Sequence, residues 1–297
     1  MPDNHPLIIN LGWLADRAPL QWATKLNYNE GFKHLICIAS GKGGVGKSTT
    51  AVNLSLALAA KSRVGLLDAD IYGPSIPLMM GVDPGTRPEI RQEKYMVPVE
   101  AYGVQCNSMG FLVDQKTAMV WRAPMLISAF NQILKDTAWD QRDFLVVDMP
   151  PGTGDIQLSL AQSVKVSGAI IVTTPQDVAL LDARKGIEMF RKVDIPILGV
   201  VENMSTHICG NCGHEEPIFG TGGGDRLAAE YDVELIGRLP LELDIRETTD
   251  MGHPLVASNP SSETAQAYFQ LAENVINKIE KISDSIIKGP EITIKDD

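Results

Sequence analysis

The sequence predicts an α/β fold in which a mostly parallel central sheet is covered by helices on both faces. Short apolar, β-branched runs alternate with segments whose apolar residues recur at helical spacing. The apolar runs are nearly continuous, which is typical of strands buried on both faces of a parallel sheet. A glycine-rich segment at 41–48 connects the first of these runs to the first helical segment. Ligands of such folds bind at the carboxyl ends of the strands, so functional residues are expected in the loops at that edge.

The elements follow one another in a regular order, with bounds good to about three residues. Strands are expected at 34–40, 63–69, 143–149, 168–174, 196–202 and 233–239. Helices are expected between them, near 47–60, 124–137, 155–163, 177–192 and 224–231. Residues 88–112 interrupt this alternation with short β-like pieces, which we interpret as a hairpin that decorates the sheet.

A long C-terminal helix is expected to begin at the cap signal Asn259-Pro260 and to end near residue 287. Its apolar residues recur in steps of four and three, at Tyr268, Ala272, Val275, Ile279, Ile282 and Ile286. A helix docked on the core explains this spacing best, and a helix paired with a partner is the alternative.

The charge balance argues against two classes of partner. The chain has 26 basic and 37 acidic residues, a net charge of −11, which disfavours binding to nucleic acid or to an anionic membrane. The apolar stretches, such as 169–172, are far shorter than the roughly 20 residues of a membrane-spanning helix. The N-terminal residues 1–5 lack the pattern of a signal peptide, so we expect a cytoplasmic protein with free thiols.

The glycine-rich segment reads Gly41-Lys42-Gly43-Gly44-Val45-Gly46-Lys47-Ser48, which fits the phosphate-loop pattern G-x-x-x-x-G-K-[ST]. Its glycines allow successive N–H groups to turn towards the phosphates of ATP at a helix N-terminus. Lys47 would reach the β- and γ-phosphates, and the Ser48 hydroxyl would bind Mg²⁺. A glycine-rich turn with an accidental lysine and serine is the alternative, but the strand before it and the helix after it favour a P-loop NTPase.

Two acidic motifs follow strand ends. Asp70 lies just past the strand at 63–69, in a Gly-Pro loop, where a carboxylate can orient an attacking water. Asp148 follows four apolar residues, as in a Walker B strand whose aspartate holds Mg²⁺ directly or through water. The loop 150–155 after it resembles a switch loop in which the N–H of Gly152 could sense the γ-phosphate. Either aspartate alone could instead be a cap or turn residue.

A second chemical site is indicated by Cys209-x-x-Cys212 after the strand at 196–202. This spacing lets two sulfurs bind one metal. A tetrahedral metal site or an iron–sulfur cluster needs four ligands, so two are missing. We expect Cys37 and Cys106 to be core thiols, so the missing ligands are most economically the same two cysteines of a second chain in a symmetric dimer. A zinc site that uses His207 or His214 and a dithiol redox pair are the alternatives to a bridging iron–sulfur cluster.

These motifs together resemble the Mrp/ApbC family of iron–sulfur cluster carrier ATPases, within the MinD/ParA superfamily. The matching stretches are Gly41–Ser48, Asp68–Ser75, Asp148–Asp155, Val201–Met204, Cys209–Cys212 and Ile218–Gly224. The resemblance covers about residues 33–275 and implies a homodimer that holds a labile 4Fe-4S cluster between subunits and passes it to apo iron–sulfur proteins. It divides the chain into an N-terminal extension at 1–33, a P-loop ATPase domain at 34–287 with a cysteine loop at 204–224, and a tail at 288–297.

The resemblance also assigns residue roles. Lys42 would reach across a nucleotide-sandwich dimer to the phosphate of the facing subunit, and Asp70 would be the switch I aspartate. Adenine contacts are implied for Asn203 and for the loop Pro240–Asp244. With Lys47, Lys42 and Asp70 form the expected catalytic set, and Ser48 and Asp148 the Mg²⁺ set. The expected ATP contacts are Gly41, Lys42, Gly43, Gly44, Val45, Gly46, Lys47, Ser48, Thr49, Gly152 and Asn203.

Three functions are compatible with a P-loop ATPase of this kind. The leading hypothesis is an ATP-dependent iron–sulfur cluster carrier. The alternative is a MinD/ParA-like positioning ATPase with a structural zinc site, against which the acidic charge and the cysteine pair count. A small-molecule ligase or kinase of the same fold is a third possibility, but no sequence motif indicates a substrate pocket for it.

Overall fold

The computed structural model of the chain describes residues 31–112, 123–154, 156–157, 159 and 164–288. The expected N-terminal extension at 1–33 lies outside the described residues except for its last three, and the tail at 288–297 except for its first. The proposed division into extension, ATPase domain and tail therefore stays a prediction.

The strands confirm the predicted order. They are β1 Phe32–Ala39, β2 Val64–Asp68, β3 Ile90–Arg91, β4 Tyr95–Met96, β5 Val99–Ala101, β6 Val104–Ser108, β7 Arg142–Asp148, β8 Gly168–Thr173, β9 Ile197–Ile208, β10 Glu215–Glu216 and β11 Leu235–Leu241. The central sheet runs β5-β6-β2-β7-β1-β8-β9, and both β10 and β11 pair with β9. Neighbouring strands pair in parallel along the run β6-β2-β7-β1-β8-β9-β11. β5 is antiparallel to β6, and β10 is antiparallel to β9. The sheet is therefore mostly parallel, as predicted.

Helices connect these strands. They are α1 Lys47–Ala59, α2 Ile76–Met79, α3 Ala123–Lys135, α4 Asp177–Lys192, α5 Gly223–Glu230, α6 Leu243–Asp250, α7 Leu255–Ser258 and α8 Glu263–Lys288. Residues 156, 157 and 159 are also helical, within the segment where a helix was expected at 155–163. The sequence analysis does not predict α2, α6 and α7; α2 and α7 have only four residues each, which is too short for a helical period to be recognised.

Helices cover both faces of the sheet because the side chains of each strand alternate between the faces. In β1, Ile36 and Ile38 point to one face, where they join a core formed with α1 and α8. Leu35 and Cys37 point to the opposite face and pack in a core with α3, α4 and α5. The long helix α8 buries Tyr268 and Val275 in the first core, so its docking on the domain is confirmed.

The expectation that 88–112 is a decorating hairpin is wrong for its second half. β6 pairs in parallel with β2 and is a fully buried member of the central sheet, and β5 folds back along it as the edge strand. β6 carries polar residues, among them Gln105 and Asn107, that are buried in the sheet. In the structure, Gln105 Oε1 accepts from Arg142 Nε at 3.0 Å, and Asn107 Nδ2 donates to Thr137 Oγ1 at 2.7 Å.

β9 is much longer than the strand expected at 196–202. It continues to Ile208 and so carries the chain from the centre of the sheet directly to Cys209. No helix among the described residues is long and apolar enough to cross a membrane.

Candidate functional site

The phosphate loop connects β1 to the N-terminus of α1, as the sequence predicts. At two positions of this loop, the neighbouring atoms leave no room for a side chain, so that glycine is required. A Cβ on Gly41 would lie 2.1 Å from the carbonyl carbon of Asp182 in α4, and one on Gly46 would lie 2.1 Å from Nδ2 of Asn203. Gly46 also has a φ of 80°, the left-handed region that favours glycine. The loop is thus held between α4 on one side and the middle of β9 on the other.

Lys47 lies at the centre of a buried cluster of charges. Its Nζ is 2.6 Å from Asp148 Oδ1 and 3.6 Å from Asp70 Oδ2, and it also donates to the Ser48 hydroxyl at 3.3 Å. The Lys47 side chain is 6% exposed and that of Asp148 is 0% exposed. Three strand ends therefore bring together the lysine and both aspartates that the sequence singled out.

Burial raises the pKa of Asp148, against the opposing effect of Lys47 and of a hydrogen bond from Ser48. Asp68, which the sequence shows only as the first residue of the motif Asp68–Ser75, has a carboxylate that anchors the loop carrying Asp70. It accepts hydrogen bonds from the N–H groups of Asp70 and Ile76 and from the Ser108 hydroxyl. Burial, followed by the nearby charge of Asp148, raises the pKa of Asp68 to about 7.

The residues around Lys47 fit a magnesium ion. Asp148 Oδ2 and Asp70 Oδ1 are buried and have no hydrogen-bond partner among the described residues. Buried carboxylate oxygens without partners are costly, and they are the hard oxygen ligands that Mg²⁺ prefers. Together with the Ser48 hydroxyl beside Asp148, they form a suitable donor set at the phosphate loop.

The loop after β7 is organised by a residue that the sequence did not single out. Gln157 is buried, accepts from the N–H of Gly154 at 3.0 Å and donates to the carbonyls of Pro150 and Gly152. The N–H of Gly152 donates to the carbonyl of Ser40 at 2.9 Å. To contact a phosphate, this N–H has to exchange that bond, which suits a loop that changes its contacts with the nucleotide.

The remaining residues that were predicted to contact ATP lie in the phosphate loop, in the first turn of α1 and in β9. The Lys42 side chain is half-buried, and it forms no ion pair within the described part of the chain. Val45 is buried, and its carbonyl accepts from Asn203 Nδ2 at 2.9 Å. Half-buried Thr49 lies in the first turn of α1, where its carbonyl accepts from Asn53 at 3.0 Å. Asn203 therefore braces the phosphate loop itself.

A cavity of about 420 Å³ lies beside the end of β9. Its lining includes Ser205 and Thr206 of β9, Arg238 and Pro240 of β11, and Glu263 at the start of α8. The loop that was expected to contact adenine, Pro240–Asp244, comprises the end of β11 and the start of α6. Of this loop, Pro240 faces the cavity.

The cysteine pair occupies the turn of a hairpin. β10 returns antiparallel to the end of β9, with Glu215 opposite Ile208. The N–H of Cys209 donates to the carbonyl of His214 at 3.0 Å, and the N–H of Gly213 donates to that of Cys209 at 2.8 Å. Hydrogen bonds from the N–H groups of Asn211 and Cys212 lower the pKa of the Cys209 thiol. The hairpin thus presents one half-exposed and one exposed sulfur side by side.

The other cysteines are different in kind. Cys37 and Cys106 are buried, and burial raises the pKa of both thiols well above their ordinary value, as expected of core cysteines. No three side chains of His, Cys, Asp or Glu gather as metal ligands among the described residues. His207 instead places Nδ1 3.2 Å from the carbonyl of Leu241. Among the described residues, the two thiols of this hairpin therefore have no third His, Cys, Asp or Glu beside them that could complete a metal site.

The glycine-rich stretch at 218–224 has a structural role. The N–H of Gly224, at the start of α5, donates to the buried carboxylate of Glu202. Arg238 lies between Glu202 and Asp225, with its Nε 3.8 Å from the first. The Gly224–Glu202 bond therefore ties the start of α5 to the middle of β9, while Thr221 and Gly222 of the same stretch line the cavity beside β9.

Comparisons with known proteins agree on one family. Residues 31–276 match the profile of a family described as "ParA: NUBPL iron-transfer P-loop NTPase". An "Iron-sulfur cluster carrier protein" of Pseudomonas fragi is 61% identical over 241 residues, which are 81% of this chain and 84% of that protein. The protein of the same name from Escherichia coli K12 is 57% identical over 246 residues, and the match spans 82% of this chain and 66% of that one. The "Iron-sulfur cluster transfer protein NUBPL" of Mus musculus is 53% identical over 84% of this chain and 79% of its own length.

Solved structures confirm the fold. A nucleotide-binding protein from Archaeoglobus fulgidus in complex with ADP has a TM-score of 0.68 and 32% identity, over 80% of this chain and 93% of its own. The cell division ATPase MinD of Pyrococcus furiosus has a TM-score of 0.60 and 27% identity, over 84% of this chain and 99% of its own. The chain therefore belongs to the NUBPL-type, iron-transfer family of P-loop NTPases, within the MinD/ParA fold.

Proposed function

We propose that this protein is an ATPase that carries a labile 4Fe-4S cluster between two copies of the chain and transfers it to apo iron–sulfur proteins. The observation that carries the proposal is that one strand, β9, joins the two sites. Its Asn203 contacts the phosphate loop, and its end leads into the hairpin of Cys209 and Cys212. The names of the carrier and transfer proteins that resemble this chain support it.

The nucleotide half of the function follows from the charge cluster. The phosphate loop and Lys47 bind the phosphates of ATP, for which Lys47 exchanges its ion pairs with Asp148 and Asp70. Ser48 and Asp148 would hold Mg²⁺, which would supply positive charge to neutralise the phosphates. Asp70 orients the attacking water, and Lys42 of a second copy stabilises the charge that develops in the transition state. The cavity beside Pro240 has room for the nucleoside.

The cluster half follows from the thiol count. Each chain presents two thiols on the hairpin, and a 4Fe-4S cluster takes four. A twofold axis places identical hairpins together, so two copies supply Cys209 and Cys212 twice. A cluster held in this way lies at the surface, where a recipient protein can exchange its own thiolates for those of the carrier.

The positioning ATPase with a structural zinc site is less well supported. A structural zinc site is normally closed by four ligands of one chain. The described residues gather no third ligand around the cysteine pair, and His207 is turned to a backbone carbonyl.

Anaerobic reconstitution with iron and sulfide tests the proposal. The wild-type chain should become brown, bind about four irons per two chains and activate an apo enzyme, as the ligand count requires. Cys209→Ala and Cys212→Ala should lose colour and transfer while ATP binding survives. Cys37→Ala is the matched control and should keep both colour and transfer, because this thiol is buried. Tightly bound stoichiometric zinc without any iron uptake would contradict the carrier function.

A further inference from the structure

The strand that joins the two sites has an irregularity between them. Met204 has a φ of 56°, a left-handed conformation that costs energy for a residue with a side chain. The pairing of β9 with β11 changes at the same point. Leu239 pairs with Asn203 and Leu241 pairs with His207, so three residues of β9 face the single residue Pro240. The segment 204–206 is therefore a kinked bulge, here called the β9 bulge.

Side chains replace the missing backbone pairing at the β9 bulge. Pro240 has no N–H with which to continue the ladder. Instead, Ser205 Oγ donates to the carbonyl of Leu239 at 3.1 Å. The Nδ1 atom of His207 lies 3.2 Å from the carbonyl oxygen of Leu241. Side-chain bonds of this kind are half-exposed and can be exchanged at a smaller cost than a buried backbone ladder.

The β9 bulge is in contact with both parts of the nucleotide site. Asn203, immediately before it, holds the carbonyl of Val45, and the Met204 Cε lies 3.8 Å from where a Cβ on Gly46 would be. Ser205 and Thr206 form part of the wall of the 420 Å³ cavity. A nucleotide that enters the loop and this cavity therefore meets the bulge directly.

The same segment sets the position of the thiols. After the bulge, β9 continues for two residues, His207 and Ile208, and then reaches Cys209. Upstream of the bulge, β9 is fixed between β8 and β11, and Glu202 is bonded to α5. Downstream, it pairs with the two residues of β10 and with Leu241. Met204 therefore lies between the part of β9 that is fixed in the sheet and the part that leads to the cysteines.

We propose that the left-handed kink at Met204 is a hinge through which nucleotide binding changes the position and accessibility of Cys209 and Cys212. The proposal rests on the carrier function proposed above, and it names the element that couples the two sites. Because the bonds around the kink are side-chain bonds that can be exchanged, a ligand that contacts the segment can shift its position relative to β11.

The test uses the metal-free, full-length chain and the rate at which iodoacetamide alkylates each cysteine, measured by mass spectrometry. A non-hydrolysable ATP analogue with Mg²⁺ should change the rates at Cys209 and Cys212 about fivefold or more in the wild type. Cys37 and Cys106 are buried and serve as internal standards. Met204→Gly should abolish this response, because glycine at the kink lets the downstream strand move independently of the nucleotide site.

Two variants control for side-chain loss and for strain relief. Met204→Asn should keep the response, because asparagine tolerates the left-handed conformation and preserves the kink. Asp194, at an exposed position between α4 and β9, has a nearly identical φ of 57°. Asp194→Gly relieves the strain there, and its cysteines should respond to nucleotide as in the wild type. Nucleotide affinity and thermal unfolding, measured for every variant, establish that each one folds and binds.

The hinge is overturned if Met204→Gly responds like the wild type, or if Met204→Asn loses the response together with it. It is also overturned if the wild type binds nucleotide and takes up a cluster but shows no change in alkylation, an outcome that leaves the carrier function intact. Failure of the wild type to take up iron and sulfide, measured separately, counts against the carrier function instead.

Discussion

Lys47 and its two carboxylates show how single residues define the nucleotide site. A lysine buried to this degree needs compensation, and Asp148 at 2.6 Å with Asp70 at 3.6 Å provides it. Each carboxylate keeps one oxygen without a hydrogen bond among the described residues. The cluster therefore has one ammonium group for two carboxylates, and its coordination is incomplete, which suits a site that binds Mg²⁺.

The two lysines of the phosphate loop should differ in their effects. Lys47→Ala should abolish ATP binding, because it removes the ammonium group that meets the phosphates and leaves Asp148 and Asp70 uncompensated. Lys42→Ala should spare much of the binding and lose turnover, because Lys42 acts on charge that develops in the facing copy. Calorimetry measures the binding and phosphate release the turnover. Hydrolysis by Lys42→Ala at the wild-type rate would rule out its action across the dimer.

Asp68 predicts a dependence of stability on pH. Its pKa is about 7 in the folded chain, against an ordinary value of 3.8. Between these values the folded state holds a proton that the unfolded state has released, so the free energy of unfolding should fall as the pH rises from about 4 to 7. Asp68→Asn should flatten this fall in urea titrations of the nucleotide-free protein. Some slope should remain, because the pKa of Asp148 is raised as well.

Glu188→Gln is the control for this titration, since it makes the same change of charge at an exposed position. It should leave the slope as in the wild type. A slope for Asp68→Asn equal to that of the wild type would show that Asp68 is already ionised at low pH.

At the scale of elements, the contact between the phosphate loop and α4 fixes where the loop lies. Gly41 faces the backbone of Asp182, whereas Gly43 has open space at its Cβ position and an ordinary φ. We therefore expect the two glycines to have different roles, one in packing and one in leaving room for a phosphate.

Gly41→Ala and Gly43→Ala form a matched pair. Gly41→Ala should lower the free energy of unfolding by about 1–3 kcal/mol, because its methyl group would overlap a helix backbone that cannot yield easily. Gly43→Ala should change stability by less than about 0.5 kcal/mol but weaken ATP binding, since the methyl group would lie in the phosphate cradle. Urea unfolding and calorimetry measure the two effects. Equal stability losses would refute this division of roles.

At the scale of the whole molecule, the cysteines fall into two classes, and the proposed cluster site has only two of its four ligands in one chain. Cys209 and Cys212 form one exposed pair at the end of the sheet, and Cys37 and Cys106 are buried in its two cores. Symmetry between two copies is the simplest source of the other ligands.

Cluster loading should therefore produce a dimer. Size-exclusion chromatography of the reconstituted protein, combined with iron and sulfide analysis, should show two chains and about one cluster per particle. The double variant Cys209→Ala/Cys212→Ala should not change its elution when treated with iron and sulfide. A stable monomer that holds a complete cluster would defeat the bridging arrangement.

The sequence by itself determined the order of the main strands and helices, the phosphate loop and the exposed cysteine pair. These features are local: apolar runs of the right length, glycines at fixed spacing and two thiols in one turn. Asp70 and Asp148 could be named for the same reason, since each follows a strand whose end lies at the ligand-binding edge.

Only the tertiary structure decided the features that depend on residues distant in sequence. The place of β6 in the central sheet depends on its pairing with β2 and on the partners of its polar residues, Thr137 and Arg142, which lie 30 and 37 residues further along the chain. Asp68 and Gln157 gained their roles from hydrogen bonds that form when loops meet at the sheet edge. The β9 bulge arises from pairing with β11, and no local pattern predicts which strand a neighbour will be. Burial and strand pairing are properties of the assembled fold, and for that reason the link between nucleotide and thiol sites became visible only there.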